Sequence, residues 1–193
     1  LKEALQMAER GNMEPLTLDA LPRKQIDDEV LDQEILEGIL LQLLQKNRVV
    51  IRVPSVGAEA MEESRRVLKA IYQRLPYEAR KNNGCMTGAT GNMLDISNAF
   101  TIILVDGDTD VTGAMFDQTT SFFDLLHKET IRPVPQNDVG MPRPYVPLLQ
   151  FLTTQKQENL DNFFLFCRKS LEGDPEGRYP AITKYYSLLD IYQ

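Results

Sequence analysis

The sequence contains no tryptophan, one histidine and two cysteines in 193 residues. With His127 as the only imidazole, a multi-histidine metal site is excluded. Cys85 and Cys167 are far apart and show none of the paired spacings that hold zinc. Two unpaired thiols in a reducing compartment is the simplest reading, and a single disulfide is the alternative. There is no Asn-x-Ser/Thr acceptor, no secretory leader pattern and no apolar run approaching ~20 residues. The expectation is a soluble, intracellular protein without membrane insertion, in the cytoplasm or within an assembled particle. No Gly-rich phosphate loop, nucleophile elbow, HExxH or CxxC pair is present. For a chain of this length, these absences weigh against an enzyme.

Twenty-one basic residues face 28 acidic ones, for a net charge of −7. Nucleic-acid binding needs a basic footprint to meet phosphates, so that class is disfavoured. Adsorption on an anionic membrane is disfavoured for the same reason. One local basic group, Arg65, Arg66, Lys69 and Arg74, reads as the solvated face of a helix. At 42% hydrophobic the chain can bury a core without a disulfide or a metal. It opens on Leu1 rather than Met, so it reads as a processed product or a piece whose true termini lie elsewhere.

The organising stretch is Ala99–Asp110, AFTIILVDGDTD. Ile102–Val105 is an unbroken apolar run, as a strand buried on both faces requires. It ends in Asp106, Asp108 and Asp110, where an open α/β sheet places its chemistry. Upstream, a short helix at 2–10 and a Pro-punctuated connector at 13–22 precede a long helix from about Asp27 to Lys46. Acidic residues load its first turn, and Val30, Leu31, Ile35, Leu36, Ile39, Leu40, Leu43 and Leu44 repeat at steps of three and four. Its second half is apolar around most of its circumference, which predicts deep burial or an interface. Val49–Val53 reads as a strand and 58–75 as an amphipathic helix supported by a Glu62–Arg66 pair. Residues 77–97 read as a loop with a short edge strand at Cys85–Thr90. A strand at 99–106 and a helix at 114–128, burying Met115, Phe116, Phe122, Phe123 and Leu126, come next. The five prolines of Ile131–Pro147 predict a linker or extended arm. Three helices close the chain, at 148–152, 157–171 and 180–192, with a type I turn at Asp174–Gly177 and Pro180 opening the last.

This order predicts an α+β (mixed) fold. A small central sheet, possible in ferredoxin-like β-α-β-β-α-β order, is flanked by N-terminal and C-terminal helices. The segments are 1–48 (helical), 49–134 (central α/β core) and 135–193 (proline-rich arm and helices), together expected to form one compact domain.

Two carboxylates spaced i,i+2 just past a strand suit a hard divalent cation that bridges a diphosphate. Val105–Thr112, VDGDTDVT, resembles the VDADT-type segment of processive nucleotide-sugar glycosyltransferases with a GT-A fold. The resemblance covers about ten residues. It implies that Asp106 and Asp108 ligate Mn²⁺ or Mg²⁺. No acceptor-side acid or product-site motif accompanies it. An EF-hand loop starting at Asp106 fails, with Val111 where glycine is needed. A haloacid-dehalogenase-like DxDxT at Asp108–Thr112 would place its nucleophile two residues past the strand. The plain alternative is a solvated acidic turn, with Asp110 or Thr112 capping the next helix. Thr87–Gly91, TGATG, is similar to the extended short-chain dehydrogenase motif, but Leu94 stands at the third glycine position. His127 beside Lys128 reads as a cation at a helix C-terminus.

The function expected is a non-catalytic subunit in a larger assembly, a viral or phage structural component or a cellular adaptor. It would dock through the C-terminal helices, the 131–147 arm and the 27–46 helix, on a protein partner or a second copy, without a cofactor. The alternative is a metal-dependent enzyme on a nucleotide-linked or phosphorylated substrate, with Asp106 and Asp108 holding the cation.

Overall fold

The computed structural model describes residues 31–89, 100–111, 119–131 and 145–193. The helix expected at 2–10, the connector at 13–22 and most of the 131–147 arm lie outside them. The described residues form an α+β fold: a five-stranded mixed sheet with six helices. In chain order these are α1 (Gln33–Leu44), β1 (Arg48–Arg52), α2 (Ala58–Arg74), α3 (Tyr77–Asn82), β2 (Cys85–Ala89), β3 (Ile102–Val105), β4 (Thr120–Asp124), β5 (Glu129–Ile131), α4 (Val146–Thr154), α5 (Gln157–Ser170) and α6 (Ile182–Tyr192).

The sheet order is β2-β3-β1-β4-β5. β1 pairs in parallel with β3 and β4, β2 pairs in parallel with β3, and only β5 runs antiparallel, against β4. A parallel sheet is covered on both faces, which accounts for the continuous apolar run of β3. The alternation of side chains sorts β1 cleanly. Val49 and Ile51 join the main core, while Val50 joins a smaller cluster with Ile103, Val105 and Phe122 on the opposite face.

The main core is built by helices. Leu36, Ile39, Leu40, Leu43 and Leu44 of α1 are all buried in it. The nearly all-round apolar character of this helix is therefore met inside the fold, between the sheet, α2 and α4. Leu160, Phe163, Phe164 and Cys167 of α5 and Ile182, Tyr185 and Leu189 of α6 complete it. At ~25 cal/mol per Å² of apolar surface, each such large side chain contributes roughly 1.5–3 kcal/mol. Arg74, at the end of α2, is also buried, and its Nη1 donates to the carbonyls of Leu152 (3.1 Å) and Gln155 (2.6 Å) at the end of α4. It does not belong to a solvated basic face.

Several expectations need correction. The helix predicted over 114–128 is not there from Thr120 onward: Thr120–Asp124 is the buried strand β4. Phe122 and Phe123 pack on opposite faces of the sheet, and Leu126 is exposed in the turn beyond it. Adjacent large apolar residues fit both periodicities, and burial on two faces decides for the strand. With a strand where its second helix should lie, the ferredoxin-like order is not found. Residues 77–82 form the helix α3 rather than loop. Glu62 pairs with Arg65 (2.6 Å) instead of Arg66. The last helix starts at Ile182 with Ala181 as its N-cap, so Pro180 precedes it. The edge strand at Cys85–Ala89 and the turn at Asp174–Gly177, closed by a 2.9 Å Gly177 N–H to Asp174 carbonyl bond, are as expected.

Candidate functional site

Strand order decides where a site forms. From β1 the chain passes through α2 to the far edge at β2, and from β3 it crosses to β4 on the other side of β1. The two connections run in opposite directions across the sheet from neighbouring strands, and the carboxyl ends of parallel strands are where such sheets carry functional groups. Asp106 lies at that end, one residue past β3.

Asp106 is buried, and its Oδ2 accepts the backbone N–H of Gly57 at 2.9 Å, at the start of α2. Helix N-termini carry unpaired N–H groups and partial positive charge, so a carboxylate is stabilised there. The surrounding loop is closely tied. Gly107 N–H donates to the Ser55 carbonyl (2.9 Å), and Thr109 N–H donates to the Asp106 carbonyl (3.1 Å). Ser55 donates its N–H (3.1 Å) and Oγ–H (2.7 Å) to Glu63 Oε2 of α2. Asp108 follows on the same turn and is exposed. Asp110 is also exposed, and Thr112 lies outside the described residues. Among the described residues, no group of three or more His, Cys, Asp or Glu side chains is placed to hold a metal ion. Among the described residues, the carboxylates on this turn that a cation could meet are those of Asp106 and Asp108.

Across β1, a second charged group was not foreseen. Arg52 is the Cα partner of both Val105 and Asp124, so β1 ends between the two acidic strand ends. Asp124 is buried, and its Oδ2 lies 3.6 Å from Arg52 Nη1 and 2.8 Å from His127 Nδ1. Its Oδ1 accepts the N–H groups of Leu126 (3.0 Å) and His127 (3.2 Å), fixing the β4–β5 turn. Burial works against the ionised carboxylate. The hydrogen bonds from His127 and the charge of Arg52 outweigh it, and Asp124 is held below the usual carboxylate range. An ionised carboxylate only accepts, so His127 carries its proton on Nδ1 and leaves Nε2 as the open ring nitrogen. The geometry is that of an oriented imidazole. Among the described residues no hydroxyl or thiol hydrogen-bonds that ring. His127 thus lies in a β-turn, where the sequence pointed to a helix end. The available signals were FFD, which repeats the apolar-run-then-Asp pattern of ILVD, and the Asp-x-x-His spacing.

The third feature lies around α5. Its inner residues are core, but Leu165 is exposed, as are Ile191 and Tyr192 at the end of α6 and Tyr77 at the start of α3. Tyr192 stacks edge-on to Phe163 (centroids 5.3 Å apart) and lies 5.4 Å from Phe166, continuing the core aromatics to the surface. Thr87 and Gly88 of the TGATG stretch lie in the edge strand β2, where the Thr87 hydroxyl meets Met61 Sδ at 3.4 Å, and Thr90 and Gly91 lie outside the described residues.

Comparison with protein-family models, curated proteins and solved structures finds no match to this chain. No helix among the described residues is long and apolar enough to cross a membrane.

Proposed function

We propose that the protein is a non-catalytic subunit that works by protein–protein contact within a larger assembly, as a viral or phage structural component or a cellular adaptor. One observation carries this reading. Ile191 is 72% exposed at the end of α6, next to Tyr192, whose ring continues the core aromatics Phe163 and Phe166 to the surface, and Leu165 is 50% exposed on α5. Exposed large apolar side chains suit contact sites, and Tyr is enriched in them. The α1 helix offers less to such a contact than its sequence suggested, because its apolar face is spent inside the fold.

The test is capture from cells of the source with the wild-type chain and with the Leu165→Lys/Ile191→Lys double variant, both checked for an unchanged melt. A partner retained by the wild type and lost by the variant supports the reading. Equal capture by both, or none by either, overturns it. Sedimentation of the same two proteins tells whether the partner is a second copy.

A second reading rests on the placement of Asp106 and Asp108 just past the carboxyl end of β3. On it the protein is a Mn²⁺- or Mg²⁺-dependent enzyme acting on a nucleotide-linked or phosphorylated substrate. An ionised carboxylate offers about four acceptor positions, so the Gly57 bond does not exhaust Asp106. A melt with either cation plus a nucleoside diphosphate tests it. Ligand at ~100 times its dissociation constant adds roughly 2.7 kcal/mol, and the gain must vanish in Asp106→Asn and Asp108→Asn.

A further inference from the structure

We propose that the groove between α3, α5 and the 171–178 loop is a docking site for an acidic, extended segment of a partner protein. This rests on the protein-contact reading above and names the chemistry of the contact.

The groove encloses about 780 Å³ and is lined by Arg168, Lys169 and Arg178, with Leu165 as its exposed apolar residue. Three carboxylates also line it: Glu78, Glu172 and Asp174. Two of these already have a lysine partner. Asp174 is bound by Lys184, which also reaches Glu176 at 3.2 Å, and Glu78 lies 3.6 Å from Lys81. Among the described residues, Arg168, Lys169 and Arg178 have no carboxylate partner. Against them stands only Glu172, so the groove is locally positive in a chain of net charge −7.

The walls are set before anything binds. Asn82 Nδ2 donates to the Arg178 carbonyl (2.7 Å), tying the loop to α3. The loop is further closed by the Gly177-to-Asp174 turn and by Lys184. A Cβ on Gly177 would meet the Leu171 carbonyl oxygen at 2.5 Å, so the loop folds back on its own start at the end of α5 with no room for a side chain here. A pre-formed groove avoids ordering costs on binding. On α3 beside the groove, the Tyr77 ring lies 4.7 Å from the Lys81 ammonium and 5.2 Å from the Arg168 guanidinium. Arginine and tyrosine around an apolar residue are what interface centres are enriched in.

The chemistry favours a peptide over nucleic acid. Among the described residues the groove's lining holds no aromatic ring on which a base could stack, and Glu172 interrupts the run from Arg168 and Lys169 to Arg178, so the cations form no continuous track for a phosphate backbone. Carboxylates at intervals, with an apolar side chain for Leu165, match the pattern.

The experiment is fluorescence anisotropy with a labelled twelve-residue peptide carrying Glu or Asp at every third position, serine between them and one central Leu. A lysine-rich peptide of the same length and a labelled oligothymidylate serve as comparisons. The acidic peptide is expected to bind, to weaken with added salt, and to lose on the order of tenfold in affinity with Arg168→Glu/Lys169→Glu. Arg66→Glu, on the exposed side of α2, should leave binding unchanged. No binding by the acidic peptide, equal binding by the groove variant, or tighter binding by the lysine peptide or the oligonucleotide would overturn the assignment. Capture lost in Leu165→Lys/Ile191→Lys without any binding of the acidic peptide would sink the groove and leave the contact reading standing.

Discussion

Asp106 and Gly57 are 49 residues apart in the chain and joined by a 2.9 Å hydrogen bond from the Gly57 N–H to the Asp106 carboxylate. The bond connects the end of β3 to the start of α2, so the turn after one central strand holds the helix after its neighbour. A helix N-terminus at the carboxyl end of a sheet is ready to take an anion. Here the chain supplies its own. Asp106→Ala leaves a donor unpaired and removes the charge that faces the helix dipole. A loss of about 1–3 kcal/mol is expected, read as a urea midpoint. An unchanged midpoint would show that the bond contributes nothing.

Gly107, the next residue, has no room for a side chain. A Cβ would meet the Pro54 carbonyl oxygen at 2.4 Å and the Val53 carbonyl oxygen at 3.1 Å. Both are backbone atoms and cannot rotate away. Gly107→Ala should therefore cost about 1–3 kcal/mol through forced displacement of the β1–α2 loop. Tm should fall by roughly 2–4 °C per kcal/mol at this chain length. A wild-type melt would mean that the two turns are not packed this closely.

The sequence showed β1, β3, α1, α2 and the three C-terminal helices because each has a period or a run longer than its ambiguity. It did not show β4. Phe122-Phe123 followed by Leu125-Leu126 satisfies a helix template, and only the sheet's second face, visible in the Val50–Phe122 cluster, makes both phenylalanines internal. The acidic tip at Asp106 was legible because it ends an apolar run. The Asp124–His127–Arg52 group was not, because its members come from two strands brought side by side by the order β1-β4. The same holds for Arg74: its charge pattern belongs to a surface helix, and only α4's carbonyls draw it inside.

Arg74 provides a direct test of helix-to-helix tethering. Its guanidinium satisfies two carbonyls at the end of α4, where four are left without helical partners. Arg74→Ala removes a charged donor to both and the packing of its stem. A destabilisation of about 3 kcal/mol is expected in denaturant melts. Arg74→Lys should recover part of this, since one ammonium keeps the charge but lacks the planar fork. Equal losses in the two variants would mean that the guanidinium's hydrogen bonds, and neither the charge nor the stem, carry the tether.

The two cysteines should behave oppositely. Cys85 is exposed on the edge strand β2, while Cys167 is buried on α5 and its thiol is pushed up to about 12 by burial. The thiolate is the reactive form. A thiol reagent such as a disulfide-exchange chromophore should modify one cysteine per chain in the native state, lost in Cys85→Ser. The second should react only when denaturant opens the core. Two fast equivalents in the folded protein would contradict the burial of α5.

Acid should weaken the fold partly through Asp124. Its burial penalises the charge, but His127 and Arg52 more than compensate, so its folded pKa lies below the unfolded one. Such a group binds its proton more readily when unfolded. Its stabilisation is present above the unfolded pKa of about 3.9 and is lost as pH falls through the folded pKa. Asp174 acts in the same direction, lowered first by its hydrogen bond with Lys184. Urea midpoints should therefore decline below about pH 4, where these two carboxylates take up protons. Asp124→Asn should flatten part of that decline while lowering the midpoint at pH 7, and Asp174→Asn should flatten a separate part, since the two carboxylates have different partners. An acid limb in Asp124→Asn as steep as in the wild type would mean that the Asp124–His127–Arg52 arrangement does not hold the ionised carboxylate in solution.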